Sequence, residues 1–265
     1  MSTSGRLLWL VTSISALLSF LLLAVGFVLA TNPQQLAPAS PSPPAADSGS
    51  SPSATPPATG EIETIVALGD SLTRGSGDAN GQGYAGRVRE KLEEQSGRTI
   101  RFTNLAVNGL ESPELLEQLD QVQVKQLIAE ANLILFTIGG NDLFQQTGGL
   151  YLLDEEKLVE TAEQLAANFE EIIRRIRAIN KDARIIYTSL YNPFGNTEAA
   201  ADTVKPVLDW NNAAGQIAAR HPGVIVVPTY DLFVQKEQQY LYSDHFHPNA
   251  DGYSRMAERV LQALE

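Results

Sequence analysis

Thr64-Ile65-Val66-Ala67-Leu68-Gly69-Asp70-Ser71-Leu72-Thr73 is an apolar run that ends abruptly in a small, polar turn. The unbroken apolar residues predict a strand over 64–68 covered on both faces, because a half-exposed strand would alternate with polar residues. Similar runs recur at 100–106, 133–138, 184–190 and 224–227. Longer amphipathic stretches separate them, at 84–95, 113–129, 154–179 and 203–220, and a last helix follows Asn249. Ser112 is placed as an N-cap with Pro113 at the first helical position. Asn249 or Asp251 can cap the last helix. Regular strand–helix alternation implies right-handed crossovers and a parallel sheet, hence an α/β fold.

In an open parallel sheet, ligands bind beyond the C-terminal ends of the strands. Asp70-Ser71 follows the first strand, Asn108-Gly109 the second and Gly139-Gly140-Asn141-Asp142 the third, so these loops face one crevice. Ser71 is a weak nucleophile until a base removes its proton. The chain has three histidines. His221 lies in Arg220-His221-Pro222-Gly223, a turn at the opposite edge of the sheet, and reads as an exposed turn residue. Asp244-His245-Phe246-His247 precedes the last helix and can swing over the crevice. Asp244 can accept from Nδ1 of His247, leaving Nε2 to take the serine proton. His245 reads as structural. Donors for a developing oxyanion are the N–H groups of Ser71 and Gly109 and the side-chain amide of Asn141. Asp70 and Asp142 read as turn and scaffold hydrogen-bonders, and Asp231 and Asn192-Pro193 as loop geometry that could line the crevice.

Rival readings exist. Gly81-Gln82-Gly83-Tyr84-Ala85-Gly86 fits a dinucleotide fingerprint, but it starts well beyond the first strand and lacks the acidic residue that should end the second; it reads instead as a mobile loop over the crevice. Asp244, His245 and His247 form a plausible metal ligand set only with a further convergent ligand. A non-catalytic binding module could keep the same fold.

Four blocks in order resemble the SGNH, or GDSL-type, hydrolases: Gly69-Asp70-Ser71-Leu72, then 104–109 ending at Gly109, then Gly140-Asn141-Asp142, then Asp244-x-x-His247. The resemblance implies a flavodoxin-like three-layer α/β/α sandwich with a five-stranded parallel sheet and no cofactor or metal. It implies Ser71 as nucleophile, His247 as base, Asp244 as its orienter, and an oxyanion hole from Ser71, Gly109 and Asn141. Bacterial membrane-anchored or secreted lipase/acylhydrolases are the members it is most similar to.

Composition narrows the setting. The chain has 265 residues and a net charge of −12. Arg6 and Asp47 are the only charged side chains before residue 61 and cancel, so the acidic excess lies in 61–265. That surface is a poor match for nucleic acid and for anionic lipid. The absence of cysteine excludes disulfides, thiolate metal sites, a cysteine nucleophile and a lipid-modified N-terminal cysteine. Residues 7–30 are uncharged and apolar, long enough to meet the ~20 residues that span a bilayer. With Arg6 on their N-terminal side, 1–30 reads as a transmembrane anchor with the remainder outside the cytoplasm, or as a cleaved signal peptide. Residues 31–60, rich in Pro, Ser and Ala, read as a disordered linker, and 61–265 as the hydrolase domain. The expected protein is an extracytoplasmic serine esterase or lipase acting on a small-molecule or lipid ester. The alternative is a cell-wall or polysaccharide O-acetyl esterase or acetyltransferase.

Overall fold

A computed structural model of the protein describes residues 61–145 and 154–265. The expected anchor (1–30) and linker (31–60) lie outside the described residues. Five strands are present: β1 (Thr64–Gly69), β2 (Arg101–Asn104), β3 (Leu133–Thr137), β4 (Arg184–Thr188) and β5 (Val224–Val227). The helices are α1 (Ser71–Arg74), α2 (Gly83–Ser96), α3 (Ser112–Asp120), α4 (Val122–Ala129), α5 (Gly140–Gln145), α6 (Glu155–Ile179), α7 (Ala200–Ala218), α8 (Tyr230–Phe233), α9 (Glu237–Tyr240) and α10 (Ala250–Gln262). All strand pairs are parallel, in the order β2-β1-β3-β4-β5. This is the flavodoxin-like order, whose switch point lies between β1 and β3.

Side-chain alternation along the strands builds two cores. Val66, Leu68, Ile134, Phe136, Ile185 and Tyr187 point to one face, under α3, α4, α6 and α7. Ile65, Ala67, Leu133, Leu135 and Ile186 point to the other, under α2, α8 and α10. Each large side chain so buried contributes roughly 1.5–3 kcal/mol. On the first face Phe136, Phe169, Tyr187 and Trp210 pack edge to face or offset, with ring centroids 4.7 Å apart for Phe169 and Tyr187. The polar atoms of this cluster are satisfied in series: Trp210 Nε1 donates to Tyr187 Oη (2.8 Å), which donates to Ile138 O (2.9 Å). That bond holds the end of β3 where the chain turns into α5.

Three local expectations differ from the structure. The edge strand β2 is exposed or half-buried and shorter than 100–106, because it has one neighbour and one free edge. The helix expected over 113–129 is two helices, broken at Gln121, whose backbone is extended (φ −67, ψ 133). Ser112 is inside α3 and Glu111 is the cap residue, with Glu111 N donating to Glu114 Oε2 at 2.9 Å. Asn249 caps α10 as expected, its Oδ1 accepting from Gly252 N at 3.0 Å.

Candidate active site

Ser71 stands at the first position of α1, and the turn that puts it there is forced by its neighbours. Gly69 has φ +102, and a Cβ on it would stand 1.9 Å from the Thr137 carbonyl oxygen, so β1 and β3 approach this closely only with glycine. Asp70 then caps α1, Oδ1 accepting from Leu72 N at 3.0 Å. The same oxygen accepts from Thr137 Oγ1, whose own oxygen accepts from Thr73 N (3.2 Å) and lies 2.8 Å from Thr73 Oγ1. Gly75 closes the helix in the left-handed region, and both Gly75 N and Ser76 N donate to Ser71 O. Burial pushes the Asp70 carboxyl up to about 6, against the opposing bonds from Thr137 and Leu72. Asp70 is therefore a buried structural acid under the serine.

His247 arrives from the other end of the domain, on a loop closed by an antiparallel bridge between Leu241 and Pro248. Tyr242 N donates to His247 O (2.7 Å), and His245, at φ +55, turns the loop with its N–H on Tyr242 O (2.9 Å). Asp244 gathers three donors: Oδ1 accepts from Phe246 N and His247 N at 3.0 Å each, and Oδ2 lies 2.8 Å from His247 Nδ1. Partial burial alone would raise its carboxyl, but these bonds outweigh it and hold the group below the usual carboxylate range. The other ring nitrogen, Nε2, lies 2.9 Å from Ser71 Oγ. Tyr253 of α10 ties the loop after α1 to the last helix by donating to Ser76 O at 2.6 Å.

Asn141 sits with Ser71 on the wall of one pocket. Its Nδ2 donates to Leu110 O and its Oδ1 accepts from Gln145 Nε2, both at 2.9 Å, which fixes the amide plane and leaves one N–H without a partner among the described residues. Gly109, at φ +78, is exposed in the adjacent loop, and that loop is tied beside the serine turn by Val107 N on Gly69 O (2.8 Å). No hydrogen bond takes up the Gly109 N–H among the described residues.

Of the remaining sequence candidates, Pro193 lines the pocket beside Ser71 as expected, and the others fall elsewhere. Asp142 is buried and accepts from Ser112 N and Oγ, while Asn168 Nδ2 donates to that hydroxyl, so it joins α3, α5 and α6. Burial raises its carboxyl despite these bonds. His221 faces Glu170 (3.5 Å) at the far edge. Asp231 pairs with Arg259 at 2.8 Å, and Asn192 binds Thr203 Oγ1 at 3.1 Å. Asp244 and His247 bond to each other, and among the described residues no three His, Cys, Asp or Glu gather as a metal site. The glycine stretch at 81–86, expected as a mobile loop over the crevice, instead leads into α2, which begins at Gly83, and is tied down: Asp78 accepts from Asn80 N and Gly83 N and pairs with Arg87.

Sequence reasoning missed the apolar pocket beside Ser71. Phe144, Leu190, Tyr191, Phe194 and Phe246 line it, with Phe194 and Phe246 rings 5.8 Å apart, around a free volume of about 30 Å³. Tyr191 Oη donates to Phe246 O (2.6 Å), so this wall is bonded to the histidine loop. The signal was present: aromatic residues flank Asn192-Pro193 after β4 and His247 itself.

The profile of the GDSL-like lipase/acylhydrolase family matches residues 67–255. The uncharacterized protein YpmR of Bacillus subtilis (strain 168) is 39% identical over 212 residues, 78% of this chain and 83% of that protein. The spore germination lipase LipC of Bacillus licheniformis is 32% identical over 207 residues, covering 75% and 94% of the two chains. Among solved structures, the lipase Lip_vut3 from a goat rumen metagenome superposes with TM-score 0.68 and 30% identity over 76% of this chain and 99% of its own. The acetylxylan esterase Axe2 of Geobacillus stearothermophilus, at 19% identity and TM-score 0.59 over 76% and 94%, shares the fold.

Proposed function

The chain belongs to the GDSL-like lipase/acylhydrolase family and is a carboxylic ester hydrolase, and from that premise we propose that it works through an acyl-enzyme on Ser71. The observation that carries this reading is the continuous series Asp244 Oδ2, His247 Nδ1, His247 Nε2, Ser71 Oγ, with contacts of 2.8 and 2.9 Å. Ionised Asp244 keeps the proton on Nδ1, so Nε2 accepts the hydroxyl proton as Ser71 Oγ attacks the ester carbonyl carbon. The oxyanion that forms lies toward the N–H groups of Ser71 and Gly109 and the remaining N–H of Asn141. Collapse breaks the bond to the alkoxy oxygen, which takes the proton from Nε2 and leaves as alcohol. Water, deprotonated by the same nitrogen, then attacks the acyl carbon; collapse breaks the bond to Ser71 Oγ, which takes the proton back from Nε2, and the carboxylic acid leaves. The acyl group occupies the apolar pocket lined by Phe144, Phe194 and Phe246.

The test uses the full chain with a nitrophenyl ester and a fluorophosphonate. Inactivation should accompany stoichiometric labelling of Ser71; labelling of another serine, or activity that persists after labelling, overturns the reading.

The uncharged run at 7–30 and the Pro/Ser/Ala-rich stretch at 31–60 support placing 61–265 as the hydrolase domain outside the cytoplasm, held on the membrane or released from it. Protease protection in intact cells tests this: digestion of the domain from outside is expected, and full protection rejects it.

One observation favours a second reading. A free volume of about 30 Å³ is room for roughly two or three water-sized groups. That suits acetyl better than a long chain, as in an O-acetyl esterase or acetyltransferase of a glycan. Acetate release from acetylated glycan exceeding hydrolysis of longer acyl esters would favour it.

A further inference from the structure

A second cavity of about 510 Å³ opens beside the site, on the flank away from the apolar pocket. Arg74, Ser76, Gln82, Arg89, Asn104 and Asn108 line it. It adjoins the reacting centre through the backbone: Arg74 ends the helix that Ser71 begins, Ser76 N donates to Ser71 O at 3.0 Å, and Asn108 precedes Gly109. Its size lies in the range of small-ligand sites.

Its charge is the opposite of the domain around it. The chain carries a net charge of −12, yet two arginines face this cavity and neither is neutralised at hydrogen-bond distance. Arg74 has no carboxylate partner among the described residues. Arg89 Nε is buried with no hydrogen-bond partner among the described residues. The Glu93 carboxylate stands 3.9 Å from that nitrogen, and its other oxygen accepts from Ile100 N at 2.8 Å. The Arg89 guanidinium is held over the Phe102 ring, 5.8 Å from its centroid, which orients it. Ser76 Oγ donates to Asn108 Oδ1 (2.9 Å), turning the Asn108 amide so that its N–H groups are available. The Arg89 side chain as a whole is 32% exposed and lines the cavity, so its guanidinium is placed to bind an oxyanion there through charge-assisted hydrogen bonds.

We infer that this cavity binds an anionic group, phosphate or carboxylate, carried on the alcohol part of the ester. The inference rests on the serine reading above: with the acyl group in the apolar pocket, the alcohol part lies on the opposite side of Ser71, against Asn108 and the two arginines. The substrates are then acyl esters of anionic alcohols.

The test compares three esters of one acyl group with the full-length protein: butyryl glycerol, butyryl glycerol phosphate and O-butyryl lactate. Wild type should show kcat/KM at least tenfold higher for an anionic ester than for the neutral one. Arg74→Gln/Arg89→Gln should reduce that ratio at least fivefold, and raised ionic strength should reduce it in wild type. Preference for phosphate alone or carboxylate alone names the group. A wild-type ratio near one, or a ratio that the double substitution moves by less than fivefold, overturns the inference. If removing Arg89 from Phe102 prevents folding, Arg74→Gln alone is read, and a change of less than twofold overturns it. Hydrolysis that survives Ser71→Ala defeats the serine reading instead, so the two failures are distinguishable.

Discussion

The hydroxyl of Thr137, the last residue of β3, donates to Oδ1 of Asp70 across 2.6 Å. One strand's final side chain thereby sets the cap of the turn that presents Ser71 from its neighbour. Tyr84 Oη extends the chain of hydroxyls, 2.9 Å from Thr73 Oγ1. With Asp70 ionised, every hydroxyl in this series can donate toward it.

Asp70 makes stability depend on pH in an unusual direction. Its folded-state value, about 6, lies above the ordinary 3.8, so its ionisation opposes folding. That opposition is absent below pH 4 and complete above pH 6, amounting to about 3 kcal/mol for a shift of this size. Asp70→Asn keeps an oxygen for Leu72 N and Thr137 Oγ1 but cannot ionise. Relative to wild type, the variant should therefore gain up to about 3 kcal/mol between pH 4 and pH 7. Denaturant unfolding at the two pH values measures it, and parallel pH profiles contradict the prediction.

Removing the nucleophile or the base should be more damaging than misorienting the base. Ser71→Ala and His247→Ala should each lower kcat by about 10⁵–10⁶-fold with far-UV spectra unchanged. Asp244→Asn should lower it by about 10²–10⁴-fold, because the amide faces Nδ1 with a donor and favours the wrong tautomer. Steady-state kinetics on one ester decides this; an unaffected Asp244→Asn enzyme removes Asp244 from the mechanism.

Phe194 closes the apolar pocket between Phe144 and Phe246, with ring centroids 6.0 and 5.8 Å away. Phe194→Ala should open it. The ratio of kcat/KM for octanoyl over acetyl esters should rise about tenfold or more, equivalent to ~1.4 kcal/mol of discrimination. An unchanged chain-length profile would place the acyl group elsewhere.

Two glycines with positive φ should respond differently to alanine. At Gly69 a Cβ meets the Thr137 carbonyl, so Gly69→Ala should cost about 3 kcal/mol or more and separate β1 from β3. At Gly109 a Cβ meets nothing within 4 Å, so only backbone strain of about 1–2 kcal/mol applies. Gly109→Ala should fold and lose about tenfold or more in kcat as its N–H shifts. Thermal melts and turnover together separate the two; equal loss of stability at both positions contradicts the account.

Much of this architecture was legible in the sequence because β1, β3 and β4 are buried on both faces and leave uninterrupted apolar runs. β2 was harder to delimit: Leu105 N and Val107 N still bond to Ala67 O and Gly69 O after the strand ends, so its pairing fades into the loop. The break at Gln121 carries no Gly or Pro. Its trace is a spacing of five between buried Leu119 and Val124, one more than a helical turn accommodates. The site residues were legible because strand order sends their loops to one edge. The aromatic pocket was not, because Phe144, Phe194 and Phe246 come from three segments whose convergence no local periodicity encodes.

The hydroxyl and the imidazole that meet at 2.9 Å are 176 positions apart along the chain. A nascent polypeptide therefore displays its nucleophile early and acquires the partner that activates it only when the C-terminal helix docks. During synthesis, ester cleavage thus cannot begin until the segment that carries residue 247 has been made.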